Sequence, residues 1–187
     1  MVQTASVSEL IRRLDEAVEH PECRTRCEAV KNVLHEVCEG GADFVPSELL
    51  RPAPDKYARR LLHMDPQGRY TVLVMVWDQG QGTLLHDHGG LWCVECVYRG
   101  RIRVRSFSMT TPPDAEVLRF QEENTIYAGV GEAGSLIPPF DHHSIENALD
   151  EPSVTLHVYG GELTWCNCFV PVEGGFKMER RELCYTA

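Results

Sequence analysis

At 187 residues the chain is long enough to bury a sizeable core and short enough for one domain. Its 28 acidic side chains outnumber 18 basic ones, a formal net charge of -10, which argues against nucleic acid and against a polybasic membrane surface. No apolar run reaches the ~20 residues that span a bilayer, and no secretion signal opens the chain, so a cytoplasmic protein is expected.

Residues 4–20 read as an amphipathic helix. Ser6 and Glu9 form a capping box, and Val7, Leu10, Ile11, Leu14 and Val18 recur at helical spacing. Cys23 to Cys38 reads as a second helix with Cys27, Val30, Val33, Leu34 and Val37 on one face, ended by Gly40-Gly41. Pro46 to Leu50 makes at most a single turn before Pro52 and Pro54. This stretch, 1–55, carries no evident chemistry and is expected to be a helical layer that covers something else.

From about Tyr57 the period changes. Tyr57–Leu62 and the apolar run Arg69–Trp77 read as strands, followed by a turn at Gly80 and Gly82. Trp92–Tyr98 and Ile102–Arg105 flank a turn at Arg99-Gly100. Short pieces at 116–120, 124–128, 134–137, 142–147, 153–159 and 164–170 continue the pattern, separated by Gly, Pro and Asp. Many short strands at this spacing indicate a β-sandwich or barrel over 56–187. The tail after Gly174-Gly175 is mixed in charge and predicts nothing definite.

Eight cysteines are scattered through the chain: Cys23, Cys27, Cys38, Cys93, Cys96, Cys166, Cys168 and Cys184. Cys93/Cys96 is one CxxC without a second to complete a structural zinc site, so free thiols are expected.

Two stretches point to chemistry. In Thr83–Cys93, His86 and His88 are two residues apart, and on a strand such residues share a face. Both imidazoles can then aim at one metal ion. A third histidine, His142 or His143, follows in the 134–147 segment. Three neutral imidazoles leave positions open on the metal. With a bound water such a site is hydrolytic; with iron(II) it can hold a substrate and O2 together. In Ser153–Tyr159, Thr155, His157 and Tyr159 share one face, opposite Val154, Leu156 and Val158. The row is either a polar solvent face or a hydrogen-bond relay in which His157 orients the Tyr159 hydroxyl.

The spacing around these histidines resembles the two motifs of the cupins. Gly80 lies six residues before His86, Cys93 five after His88, and Gly100 seven after Cys93. Cys93 stands where cupins commonly place an acid, and Glu95 is displaced from that position. In the second motif Phe140 replaces the usual Gly. Asn147 lies four residues after His143 and Pro138 five before it, which favours His143 over His142.

With Thr155–Tyr159 added, the stretch from about Tyr57 to Tyr159 resembles the thiol dioxygenases of the cupin superfamily, cysteine dioxygenase most of all. The resemblance implies a mainly β fold, a double-stranded β-helix barrel with a small N-terminal helical layer. It implies a mononuclear Fe(2+) held by His86, His88 and His143. The family's Ser-x-His-x-Tyr triad falls on Thr155, His157 and Tyr159, with Thr for Ser. In animal members a cysteine is joined to the active-site tyrosine by a thioether, which matches Cys93 and Tyr159. Lys56-Tyr57-Ala58-Arg59 resembles the segment whose Tyr and Arg bind the substrate carboxylate, and Arg60 next door leaves that register open by one.

The implied reaction joins a small thiol and O2 into a sulfinic acid, with L-cysteine as the expected substrate. Relatives acting on 3-mercaptopropionate usually carry Gln at the Arg position and an Arg later. Trp165–Phe169 has no Arg, which favours an amino-acid thiol. Gly89-Gly90-Leu91-Trp92 and Gly160-Gly161-Glu162 look more like bacterial members of broader specificity, so 3-mercaptopropionate and mercaptosuccinate remain alternatives. More distant alternatives are a zinc or manganese cupin isomerase or hydrolase, and a metal- or ligand-binding cupin without turnover. A monomer or small homo-oligomer is expected.

Overall fold

The computed structural model describes residues 6–41 and 43–187. Two helices come first, α1 (Val7–Ala17) and α2 (Cys23–Glu39), then a single 3-10 turn at Ser47–Leu50. Eleven strands follow among the described residues: β1 (Ala58–Met64), β2 (Thr71–Trp77), β3 (Leu85–His86), β4 (Cys93–Arg99), β5 (Arg101–Met109), β6 (Phe120–Gly129), β7 (Ala133–Leu136), β8 (His143–Asn147), β9 (Ser153–Tyr159), β10 (Trp165–Val172) and β11 (Gly175–Glu182).

The Ser6 hydroxyl accepts from the Glu9 amide and starts α1 there, as the capping box predicts. The expected helix is longer than the observed one. Residues 4 and 5 lie outside the described part, and at the far end Val18 already caps the helix ahead of Pro21, which disfavours helical backbone at His20.

The strands make two antiparallel sheets. One runs β1-β2-β9-β4-β7, the other β11-β10-β3-β8-β5-β6. Period-2 alternation sorts the side chains of the first sheet. Val72, Val74, Val76, Val94, Val154, Leu156 and Val158 face the helices, where they pack with Leu10, Leu14, Val30 and Leu34. Leu73, Met75, Trp77, Cys93 and Tyr159 face the interior between the sheets, with Ile102 and Ile145. β2 is buried on both faces, which is why its sequence is an unbroken apolar run. The helical layer thus covers the outer face of the first sheet and leaves the inner face for polar work. Two antiparallel sheets enclosing that interior are the double-stranded β-helix expected from the sequence.

One strand expectation needs correction, and one region goes beyond what the pattern predicted. The pieces at 116–120 and 124–128 are not separate strands: residues 120–129 form β6, bonded along its length to β5. The tail, for which the sequence predicted nothing definite, forms a strand. Gly174, at φ +83°, turns the chain so that β11 lies along β10, and Thr186 then bonds the backbone of Arg59 from both sides (Thr186 N to Arg59 O, 2.7 Å; Arg59 N to Thr186 Oγ1, 2.9 Å). Its mixed charges sit on a mostly exposed edge strand, where no hydrophobic pattern is required.

Candidate active site

His86 and His143 are Cα partners across β3 and β8, and His88 follows just beyond the short β3. Their ring centroids lie 4.6 to 5.3 Å apart, and Nε2 of His143 is 3.2 Å from Nε2 of His86. One ligand atom from each of the three rings fits within 4.8 Å. The opposite ring edges meet acceptors or near-acceptors. His86 Nδ1 is 3.0 Å from Leu84 O, His88 Nδ1 is 3.4 Å from Asp141 Oδ2, and His143 Nδ1 is 3.9 Å from Glu95 Oε1. An Nδ1 proton facing an acceptor leaves the Nε2 lone pair free.

Burial, then mutual repulsion, disfavours the charged forms of His86 and His143. It lowers the His86 pKa to about 4 and pushes His143 well below the usual histidine range. Burial works against ionised Asp141, but its hydrogen bonds with His88 outweigh it and hold that carboxyl below its ordinary range. Converging ring nitrogens, with a carboxylate behind one ring, form a donor set that suits a transition-metal dication. His142, the competitor, turns away: its ring packs against Phe120 and Phe169 at 5.2 and 5.3 Å. Asn147, four residues after His143, clamps loops instead, donating to Trp77 O and Glu151 O.

The relay row is buried rather than solvent-facing. Thr155 Oγ1 lies 2.8 Å from His157 Nε2, and Tyr159 OH lies 3.2 Å from His157 Nδ1. Trp77 Nε1 donates to Thr155 Oγ1 at 2.9 Å. Burial lowers the His157 pKa to about 3 and drives that of Tyr159 well above its ordinary value. Cys93 is the Cα partner of Tyr159 across β4 and β9 and is equally buried. Its Sγ lies 3.9 Å from His157 Nδ1, and burial raises its pKa well above that of a free thiol. Cys93, Glu95 and His157 form a second group whose polar atoms lie within 4.8 Å of one another.

A cavity of about 310 Å³ opens onto the three histidines, His157 and Tyr159. Met75, Trp77, Leu163 and Leu183 give it apolar walls, and Tyr57 and Arg59 stand in its lining. Arg59 is buried, donates to Leu163 O at 2.5 Å and lies 5.1 Å from the centroid of Tyr185. Tyr57 stacks on Trp77 at 4.6 Å, and burial lifts its pKa to about 12. Arg60 faces away, its guanidinium held by the carbonyls of Leu49 and Arg51. The open register is therefore settled in favour of Arg59 as the cavity residue.

Sequence reasoning missed several groups in and behind the lining. Glu95 does not line the cavity but stands behind His143 and His157, and was legible as the inward neighbour of Cys93 two residues along one strand. Cys166 and Cys168, with sulfurs 3.8 Å apart, share the inward face of β10. Arg181 reaches the same cavity because β11 pairs it with Cys166, and nothing in the tail signalled that strand. No arginine occurs in Trp165–Phe169, yet a later one does line the cavity.

The sequence profile of the family Cysteine dioxygenase type I matches residues 3–171. This chain belongs to the cysteine dioxygenase type I family. Among its relatives, cysteine dioxygenase type 1 of Rattus norvegicus is 24% identical over 115 residues, covering 61% of this chain and 56% of that protein. The Homo sapiens protein is 23% identical over the same shares, and that of Danio rerio 26% over 123 residues. The matched region is thus little more than half the length of these relatives. A solved protein with a double-stranded beta-helix domain, from Klebsiella pneumoniae subsp. pneumoniae MGH 78578, is similar at a TM-score of 0.49 and 17% identity, over 64% of this chain and 84% of that one. Among the described residues, no helix is long and apolar enough to cross a membrane.

Proposed function

We propose that the protein is an iron-dependent thiol dioxygenase that converts L-cysteine and O2 to cysteine sulfinic acid. The observation that carries this reading is the joining, in one cavity, of three converging histidines, a buried guanidinium, and His157 and Tyr159 with Thr155 bonded behind His157. Iron(II) held by His86, His88 and His143 supplies the one-electron chemistry that lets O2 react with a thiolate.

The chain's own residues do the rest. Arg59 keeps its outward N–H edge for the substrate carboxylate, because only one of its bonds is spent on Leu163 O. Tyr57 adds a hydroxyl beside it. Met75, Trp77, Leu163 and Leu183 exclude water from the sulfur end of the substrate. Tyr159 offers a hydroxyl held by His157, and its raised pKa keeps that proton in place as a donor. Cys93 stands across from Tyr159 as a thioether between the two requires; forming that bond removes two hydrogens, with O2 as the oxidant. All eight cysteines are unpaired, as suits a reducing compartment, and we place the activity in the cytoplasm.

A second reading is favoured by Arg181 and Lys56, which bring further cations to the cavity lining. They suit an acid without an amine, 3-mercaptopropionate, or one with a second carboxylate, mercaptosuccinate. O2 uptake by iron-quantified protein, with the three thiols side by side, tests both. Fastest uptake with L-cysteine supports the first reading. Fastest uptake with an amine-free thiol acid moves the substrate assignment to the second.

A further inference from the structure

A carboxyl group is buried inside the barrel with no hydrogen bond of ordinary length among the described residues. Glu95 is 5% exposed and shares the inward face of β4 with Cys93. Its Oε2 has no hydrogen-bond partner, and neither has Nδ1 of His143. Oε1 stands 3.9 Å from His143 Nδ1, and Oε2 stands 3.7 Å from His157 Nδ1. One carboxyl group therefore faces the rear edges of two imidazoles, one from the candidate metal site and one from the relay. A shift of about 1 Å brings either contact to hydrogen-bond length. An unpaired buried carboxylate is costly, and an apolar residue at this position avoids that cost.

The directions of the hydrogen bonds say what such a group does. Trp77 Nε1–H can only donate, so Thr155 Oγ1 accepts from it and has its own proton free for His157 Nε2. The ring proton of His157 then sits on Nδ1, where Glu95 and the Tyr159 oxygen lie. With its oxygen accepting there, Tyr159 turns its hydroxyl proton toward the cavity, where its partner is the weak acceptor Met75 Sδ at 3.9 Å. The same logic at His143 puts a proton on Nδ1 and leaves Nε2, the atom facing His86, as the ligand.

We propose that Glu95 is a positioning residue whose two carboxyl oxygens accept hydrogen bonds from the Nδ1–H groups of His143 and His157. It fixes the first ring for metal binding and the second in the tautomer that frees the Tyr159 proton. The acid that cupins commonly offer as a ligand is here set two residues further along the same strand face, behind a ligand. This inference rests on the three-histidine metal reading.

The test compares the metal-free protein with Glu95→Gln and Glu95→Leu. Anaerobic titration with Co(II) or Fe(II) gives affinity, nitrogen-15 NMR gives the histidine tautomers, and thermal unfolding gives stability. Both substitutions are expected to weaken metal binding by about 10- to 100-fold. They are expected to shift His157 toward the Nε2–H form and to leave the unfolding temperature of the metal-free protein unchanged or higher. Glu95→Leu fills the space with an apolar group if Glu95→Gln folds poorly. A lower unfolding temperature with unaltered affinity and tautomers marks a merely structural residue and overturns the proposal. Wild-type protein that binds neither ion at the histidines overturns the parent reading and this one together; wild-type binding that survives Glu95→Gln unchanged overturns this one alone.

Discussion

Replacing Arg59 by Gln separates substrate binding from the chemistry. Arg59 is buried, has five N–H donors, and spends one of them on Leu163 O. A carboxylate held by two parallel N–H bonds loses the charged pair in the variant. At about 1.5–3 kcal/mol for a hydrogen bond to a charged group, and with Gln able to restore one weaker bond, the net loss is about 3 kcal/mol. That corresponds to a fall of about 150-fold in kcat/KM for L-cysteine. Cysteamine, the same thiol and amine without a carboxylate, should change less than about threefold on this account. The assay is O2 uptake with both substrates, normalised to bound iron. Arg60→Gln is the control: its guanidinium ties Leu49 and Arg51 together, so it should lower the unfolding temperature and spare kcat/KM. An equal loss with cysteamine, or no loss with L-cysteine, refutes Arg59 as the carboxylate site.

Tyr159→Phe should keep bound iron and lower kcat by about 100-fold or more, the usual scale for a lost proton donor; metal analysis with steady-state rates checks it, and an unchanged kcat removes the relay from the mechanism. His143→Ala should abolish stoichiometric iron binding, whereas His142→Ala, whose ring packs on Phe120 and Phe169, should keep it; the reverse result would exchange their roles. The metal-free protein should lose stability in acid. His86, His143 and His157 have folded pKa values depressed below the unfolded value of about 6.5, so their contribution is complete above that pH and is lost as pH falls toward the folded values, about 4 for His86 and about 3 for His157. Glu95, pushed up to about 8 by burial, has the opposite sign and offsets one of them. With two protons' difference left, the net loss is about 2.7 kcal/mol per pH unit between about 6.5 and 4.5, and a urea midpoint that is flat over this range contradicts it.

Much of this site is legible in the sequence because strand alternation is a strict rule. Val154, Leu156 and Val158 against Thr155, His157 and Tyr159 announce which face works and which face packs, and the two cores obey the division. The third histidine is legible from Asn147, though the reason is architectural: Asn147 pins the loops around β8 and β9 and contacts no ligand. What stayed hidden depends on contacts between distant segments. Arg181 enters the cavity through the β10–β11 register, and Tyr185 lies against Arg59 because the chain end returns to β1. An exposed edge strand of mixed charge has no apolar pattern to reveal it. Glu95 was visible as a residue but not as a partner, because its role depends on which two rings the barrel sets beside it.

The central claim is that one cavity of this chain puts both atoms of O2 onto a substrate sulfur. The most direct measurement is the mass of the product formed from L-cysteine by iron-loaded protein under oxygen-18 gas, with His143→Ala alongside. The account predicts a sulfinic acid carrying both labelled atoms, and none from the variant. A product with one labelled atom, a disulfide with hydrogen peroxide, or labelled sulfinate formed equally well by His143→Ala contradicts it.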